Sequence, residues 1–385
     1  MKNRSLTIVA DQNMPLVEEL FGRYGEVRLV AGRSISAEDV ADADVLLVRS
    51  VTPVSSSLLE SSRVKFVGSA TIGIDHVDTD FLRNSGIRFA FAPGCNAKAV
   101  VQYDLSVMSR LMPNWHNQTV GIIGCGNVGG RLYSTLVALG VKCRVYDPFL
   151  PKDGNIPIDD FNEVLRSDIV CLHTPLTYAG LYPTYHLLNR AALEILRPGA
   201  LLINAGRGEV IDTEALLEKL RSSMPLSVAL DVWESEPDVC PNLLKQVSLA
   251  TPHIAGHTRE GKVKGTTMVF DAFLAWLGVE ESCRDDLSLT PVDIDTLSIN
   301  SVVEAVLASY DVLDDDQMMR QRLSGLVKGS LEQRDMFDVL RREYPVRRGF
   351  ESTIIRSSGH LGKTKLDSDL AALGFLISDH AKMGL

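Results

Sequence analysis

The sequence predicts an α/β protein with two doubly wound parallel-sheet lobes, a cleft between them, and a smaller α+β domain at the C-terminal end. Three observations carry this. Short apolar runs alternate with helical patterns through most of the chain, the signature of βαβ units. The alternation comes in two series, parted by a long apolar-periodic stretch at Asn96–Leu111. With 385 residues the chain is too long for one compact core, so two or three domains are expected.

The first series reads as strands at Leu6–Ala10, Val27–Val30, Val45–Val48, Lys65–Gly68 and Ile87–Ala90, with helical patterns between them at Pro15–Arg23 and Thr79–Ser85. The Asn96–Leu111 helix leads to a strand at Thr119–Ile123. Further strands are expected at Lys142–Tyr146, Ile169–Leu172, Ala200–Asn204, Ser227–Leu230 and Val247–Ala250. A helical pattern from about Glu260 to Leu277 follows the completed second series. Residues 285–300, rich in Asp, Ser, Thr and Pro, read as a linker or loop-rich entry. Helix-like patterns at Ser301–Leu313, Gln317–Gly325 and Met336–Glu343, and an apolar run at Leu370–Ile377, read as a separate C-terminal module. No low-complexity tract or short repeat is visible.

A hydrophobic content of 45% and a charged content of 23% suit a globular protein. The net charge of −10 argues against a nucleic-acid partner, because phosphate neutralisation needs a basic surface. It leaves room for an anionic substrate in a locally positive pocket. Six scattered cysteines show no C-x-x-C spacing, so no metal site and no disulfide framework are expected. Met1–Ala10 lacks an apolar signal region, and no stretch approaches ~18 uninterrupted apolar residues. The expectation is a soluble cytoplasmic protein without a membrane partner.

The turn Gly124-Cys125-Gly126-Asn127-Val128-Gly129 follows the apolar strand Val120–Ile123 and opens a helical pattern running to about Leu139. In a Rossmann-like lobe Gly124 permits the tight turn, Gly126 lets the backbone approach a pyrophosphate, and Gly129 allows close helix–strand packing. The helix N-terminus offers unpaired N–H groups to phosphates. A later strand ends at Asp147, 18 positions beyond Gly129, placed to accept hydrogen bonds from ribose hydroxyls. Its charge would repel a 2′-phosphate, and Pro148 and Phe149 follow rather than an arginine. The expected cofactor is NAD, not NADP.

Three more segments fall where loops should follow strands of the second series, the edge where open α/β sheets bind ligands. They are Asn204-Ala205-Gly206-Arg207-Gly208, Asp231-Val232-Trp233-Glu234-Ser235-Glu236-Pro237 and Thr251-Pro252-His253-Ile254-Ala255-Gly256. With these in order the chain resembles the D-isomer-specific 2-hydroxyacid dehydrogenases over roughly residues 1–280. The resemblance implies that His253 is the base that takes the hydroxyl proton, and the acid in reverse. Glu236 would orient the ring and favour the imidazolium. Arg207 would offer its planar fork to the substrate carboxylate or the developing carbonyl. Alone, each also reads blandly: a satisfied loop histidine, a helix-start acid, a surface cation. Around the cofactor the likeness adds Thr174, Ala205, Gly206, Asp231 and Gly256. His173-Thr174-Pro175-Leu176 should line the nicotinamide or ribose, and Asp231 should face the carboxamide, although a strand-end cap is the other reading of both.

In the first lobe, Arg49-Ser50-Val51-Thr52 and the 68–78 segment should follow strands and face the cleft. Together with Asp11-Gln12-Asn13-Met14-Pro15, Ala92-Pro93-Gly94-Cys95-Asn96-Ala97 and Glu260-Gly261-Lys262, they are similar to one branch of the family that acts on a phosphorylated hydroxy acid. By that likeness Ser50 and Thr71 contact substrate and Arg49 is a candidate for its phosphate. The pair Arg347–Arg348, reaching from a partner subunit, is a more distant candidate. His257 stands where the branch often has a tyrosine at the substrate. The likeness also implies a substrate-binding lid domain (residues 1–95 with 258–282), an NAD-binding domain (96–257) and a C-terminal domain (283–385) that makes a homodimer. The competing readings are 3-phosphoglycerate as substrate and an NAD-sensing binding protein. The other histidines, His76, His116, His186 and His360 among them, have no comparable setting.

Overall fold

The computed structural model describes residues 5–151, 154–280, 291–294, 299–357 and 365–379. They form two compact units: residues up to 96 together with those from Thr258 to the end of the following helix, and residues 97–257 together with the described residues from 291 onward. Most of the expected 285–300 linker, Cys283 and His360 lie outside the described residues.

The first unit holds five parallel strands, β1 (Leu6–Asp11), β2 (Gly25–Val30), β3 (Val45–Val48), β4 (Phe66–Ser69) and β5 (Arg88–Phe91), in the order β2-β1-β3-β4-β5. Every residue of β3 is buried, as both faces of a parallel sheet are covered. Val9, Leu46, Val48 and Val67 fill one face with Leu59 and Leu82. Ile8, Val45, Leu47 and Phe66 fill the other, against Val269, Phe270, Phe273 and Leu274. Those four residues belong to the Arg259–Leu277 helix, so the chain returns to the first sheet after completing the second. Thr258 starts this helix by accepting the Gly261 N–H at 3.1 Å, and Gly278 ends it at φ 73°.

The second unit holds β6 (Thr119–Ile123), β7 (Lys142–Tyr146), β8 (Ile169–Leu172), β9 (Leu201–Asn204), β10 (Ser227–Leu230) and β11 (Leu249–Ala250), all parallel, in the order β11-β10-β9-β8-β6-β7. The order reverses beside β6, whose end carries the Gly124–Gly129 turn, and open sheets bind ligands at such a point.

The end of the chain does not stand apart as the composition suggests. Ala305, Val306, Tyr310, Val312 and Phe350 share one apolar core with Tyr103, Val107, Leu132 and Leu136. Met319, Leu323, Phe337 and Leu340 share another with Trp233, Val239 and Leu243. A short sheet of β12 (Val292–Ile294), β13 (Thr353–Ser357) and β14 (Leu376–Asp379) is also parallel, which makes this region α/β where separate helical runs suggested α+β. Helix boundaries differ for local reasons. Asp311 accepts the Leu313 N–H and so parts Val302–Ser309 from Val312–Leu323. Ser330 caps Leu331–Arg342, five residues upstream of the expected start. The apolar run at 370–377 is a helix end and a strand, parted by Gly374 at φ 101°. No described helix is long and apolar enough to cross a membrane.

Candidate active site

His253 sits in a turn folded around one buried carboxylate. Asp231, 1% exposed, follows β10. Its Oδ1 accepts the Thr251 hydroxyl at 2.7 Å and the Ile254 N–H at 2.8 Å, and its Oδ2 accepts the Ala255 N–H at 2.9 Å. The His253 N–H donates to the Asp231 carbonyl at 2.7 Å. Tyr103 Oη lies 3.0 Å from Thr251 Oγ1, and Trp233 Nε1 donates to the Thr251 carbonyl at 3.0 Å. These contacts hold His253 at φ 56°, a left-handed conformation that a non-glycine residue adopts only when its surroundings impose it. Asp231, expected at the nicotinamide, therefore has a task inside the protein: it builds the turn that aims the histidine.

His253 Nδ1 is hydrogen-bonded to Glu236 Oε1. A carboxylate only accepts, so Nδ1 carries the proton and Nε2 is left for proton exchange. Glu236 Oε2 accepts the Trp233 N–H at 3.2 Å. Burial alone would push the Glu236 carboxyl up, but the His253 imidazole and the Arg341 guanidinium outweigh it and hold the group below the usual carboxylate range. Nearby Glu209 goes the other way, raised by burial and by the charges of Glu236 and Glu234.

Arg207 follows β9 in a loop latched by Asn204, which is fully buried. Asn204 Nδ2 donates to the Arg207 carbonyl at 2.9 Å and its Oδ1 accepts the Gly206 N–H at 3.1 Å. Arg207 Nη1 donates to the Gly206 carbonyl at 2.8 Å. A Cβ on Gly208 would lie 2.0 Å from the Trp233 carbonyl carbon, so glycine alone lets this loop abut the loop carrying Glu236. Arg207, Glu236 and His253 thus stand on loops after three neighbouring strands, β9, β10 and β11.

The glycine turn fits a dinucleotide. A Cβ on Gly129 would lie 1.9 Å from the Gly124 carbonyl oxygen, which demands glycine for packing. A Cβ on Gly126 would meet nothing within 4 Å, so protein packing does not require glycine there and the backbone is open to a close ligand. Asp147 ties the site together, its Oδ2 accepting the Cys125 N–H at 2.8 Å and its Oδ1 the Phe149 N–H at 3.0 Å. Asn127 and Val128 open the Asn127–Ala138 helix, Ala205 and Gly206 lie in the Arg207 loop, and Gly256 follows the His253 turn. Thr174 Oγ1 is buried and makes no hydrogen bond, a donor available to a ligand.

The His173 side chain turns inward, the strand-end alternative to lining the cofactor. Its side chain is 1% exposed and its Nε2 lies 3.1 Å from Asp104 Oδ2, itself fully buried. Burial holds the Asp104 carboxyl above its usual range, against the pull of His173. Arg347 corrects an expectation. It is 6% exposed, stacks 4.3 Å over the Tyr310 ring, and donates to the Ala255 and Ala99 carbonyls of its own chain. It does not reach a partner's substrate; it braces the His253 turn. The His257 ring meets the Tyr344 ring edge-on at 5.9 Å.

In the first unit, Ser50 is exposed just after β3, and half-buried Arg49 accepts the Thr52 N–H at its carbonyl. Thr71 donates to the Gly73 carbonyl at 2.7 Å, and its Oγ1 lies 2.7 Å from the buried Ser69 hydroxyl. Ser69 in turn lies 3.0 Å from His76 Nε2, so His76 supports the Thr71 loop, a role its isolated place in the sequence hides.

Residues 99–255 match the D-isomer specific 2-hydroxyacid dehydrogenase, NAD binding domain, and residues 290–374 match a domain of unknown function. An erythronate-4-phosphate dehydrogenase from Teredinibacter turnerae is 46% identical over 389 residues, covering 98% of this chain and 100% of its own. One from Klebsiella pneumoniae is 43% identical over 375 residues, covering 94% and 97%. Among solved structures, a Thermus thermophilus protein gives a TM-score of 0.62 at 25% identity, over 71% of this chain and 98% of that one. The NAD+-bound 3-phosphoglycerate dehydrogenase of Entamoeba histolytica gives 0.62 at 22%, over 71% and 96%, a likeness of fold. The chain is an NAD-dependent 2-hydroxyacid dehydrogenase and belongs to the erythronate-4-phosphate dehydrogenase family.

Proposed function

We propose that the protein oxidises 4-phospho-D-erythronate at C2 to 2-oxo-3-hydroxy-4-phosphobutanoate, a step toward pyridoxal phosphate. The observation that carries the chemistry is the His253–Glu236 pair, with the imidazole bound through Nδ1 to a carboxylate kept ionised. NAD, when bound, supplies the acceptor for the hydride from C2. His253 Nε2 takes the hydroxyl proton, and Glu236 stabilises the imidazolium that results. Arg207 presents its fork to the substrate carboxylate. Asp147 receives the adenosine ribose hydroxyls, and the backbone at Gly126 receives the pyrophosphate, with Thr174, Ala205, Gly206, Asp231 and Gly256 around the rest of the cofactor.

The full-length match to relatives of one name supports the substrate, with Ser50, Thr71, Arg49 and His257 as its contacts. On this reading residues 1–95 with 258–282 bind substrate, residues 283–385 join two chains in a homodimer, and the enzyme works in the cytoplasm. The test is NAD reduction by the purified protein. We expect kcat/KM for 4-phosphoerythronate to exceed that for 3-phosphoglycerate by about a hundredfold or more. The reverse preference would overturn the substrate, and no turnover of either would overturn the reaction. Sedimentation at micromolar concentration should show a dimer; a monomer would remove the role given to the C-terminal domain.

A further inference from the structure

The Leu331–Arg342 helix comes from the C-terminal segment, yet it lies along the loop that carries Glu236. Arg334 grips Asp238 with both prongs, Nε to Oδ1 at 2.6 Å and Nη2 to Oδ2 at 2.7 Å. Gln333, 1% exposed, donates to the Val239 carbonyl at 3.0 Å. Phe337 and Leu340 enter the same apolar core as Trp233 and Val239. Together these contacts fix the helix in register against residues 233–239.

Arg341 lies seven residues, about two helical turns, beyond Arg334, so both side chains leave the same face. The first arginine meets Asp238 and the second acts by its charge on Glu236. Arg341 Nε is buried and makes no hydrogen bond. The Glu236 oxygens are already engaged by His253 and the Trp233 N–H, so Arg341 acts through space without displacing either. Among the described residues, an acidic group also interacts with Glu236. Glu209 interacts with it from the Gly208–Val210 turn, and Glu234, engaged by His186 and the Thr213 N–H, acts on Glu209. Arg207 acts on Glu209 from the β9 loop.

We propose that Arg341 is a positioning residue for proton transfer, a cation that the C-terminal segment brings to the loop carrying Glu236. It gives that segment a part in the chemistry, and it rests on the proposed role of His253. Removing a positive charge beside a titrating pair makes the pair easier to protonate, so the sign of the effect is set.

The experiment is a histidine NMR titration of the full-length protein without substrate, alongside the pH profile of kcat. In Arg341→Gln the His253 midpoint should rise by about half a unit or more, and the acid limb of oxidation should rise with it. Arg341→Met keeps the apolar stem and should behave alike, whereas Arg341→Lys should restore the wild-type midpoint. An unchanged midpoint in both neutral variants overturns the proposal, whatever the substrate. A raised KM with an unchanged midpoint also overturns it, making Arg341 a substrate anchor. Failure of the wild type to oxidise 4-phosphoerythronate would overturn the substrate reading and leave this one standing on the titration.

Discussion

At the scale of single residues, Asp231, Glu236 and His253 are each held by defined hydrogen bonds. Glu236→Gln can still accept from His253 Nδ1 but loses its charge, so the imidazolium loses support. We expect kcat to fall, and the acid limb of oxidation to move down by about one pH unit. That is the opposite direction from the Arg341 variants. A limb that stays in place would show that Glu236 orients the ring without tuning it. Asp231→Asn keeps the shape but replaces one accepting oxygen with an amide that cannot accept. One of the three donors inside a buried turn then loses its acceptor. Denaturant unfolding should show a loss of about 1–3 kcal/mol, together with a fall in activity as His253 leaves its left-handed turn. Unaltered stability would mean that the turn does not depend on this carboxylate.

At the scale of the strand and its following loop, glycines divide into those that packing demands and those around which the protein leaves space. Gly129→Ala places a methyl 1.9 Å from the Gly124 carbonyl oxygen, so the Asn127–Ala138 helix must move off the sheet. Both the melting temperature and NAD affinity should fall. Gly126→Ala meets no protein atom within 4 Å. Its melting temperature should stay near wild type, while the Kd for NAD, measured by calorimetry, rises about tenfold or more as the methyl enters the pyrophosphate path. Equal losses of stability in the two variants would refute the distinction. These roles are legible in the amino-acid order, because a glycine spacing between a strand and a helix is a local pattern. The role of Asn204 is not. It reads as the polar end of an apolar strand, and its latch on Arg207 appears only once the loop has folded back.

At the scale of the whole molecule, the C-terminal segment completes the second unit. Val306, Tyr310 and Val312 fill a core with Tyr103, Val107 and Leu136. Arg347 joins the Ala99 and Ala255 carbonyls across that packing. A chain ending at residue 280 should therefore expose apolar surface, bind ANS and aggregate. A soluble shortened chain that melted like the full-length protein would show that the segment is dispensable for folding. In the full chain, hydrogen exchange should protect the Val302–Ser309 helix as strongly as β6, since one core holds both.

What the sequence determined by itself was whatever short-range physics writes into adjacent residues. Apolar runs of strand length gave both sheets, with β3, β6, β7, β8 and β10 at the expected bounds. The Gly124–Gly129 turn and Asp147 pointed to the cofactor, and the family resemblance singled out Arg207, Glu236 and His253, which the fold carries on loops after neighbouring strands. Tertiary structure decided what depends on who packs against whom. His173 turned inward to Asp104 because burial, not motif, sets where a strand-end side chain points. Arg347 was drawn under Tyr310 and the His253 turn, and Arg341 was brought to Glu236 by a helix about a hundred residues further along the chain. Charge acts through distance in space, and chain folding alone sets that distance.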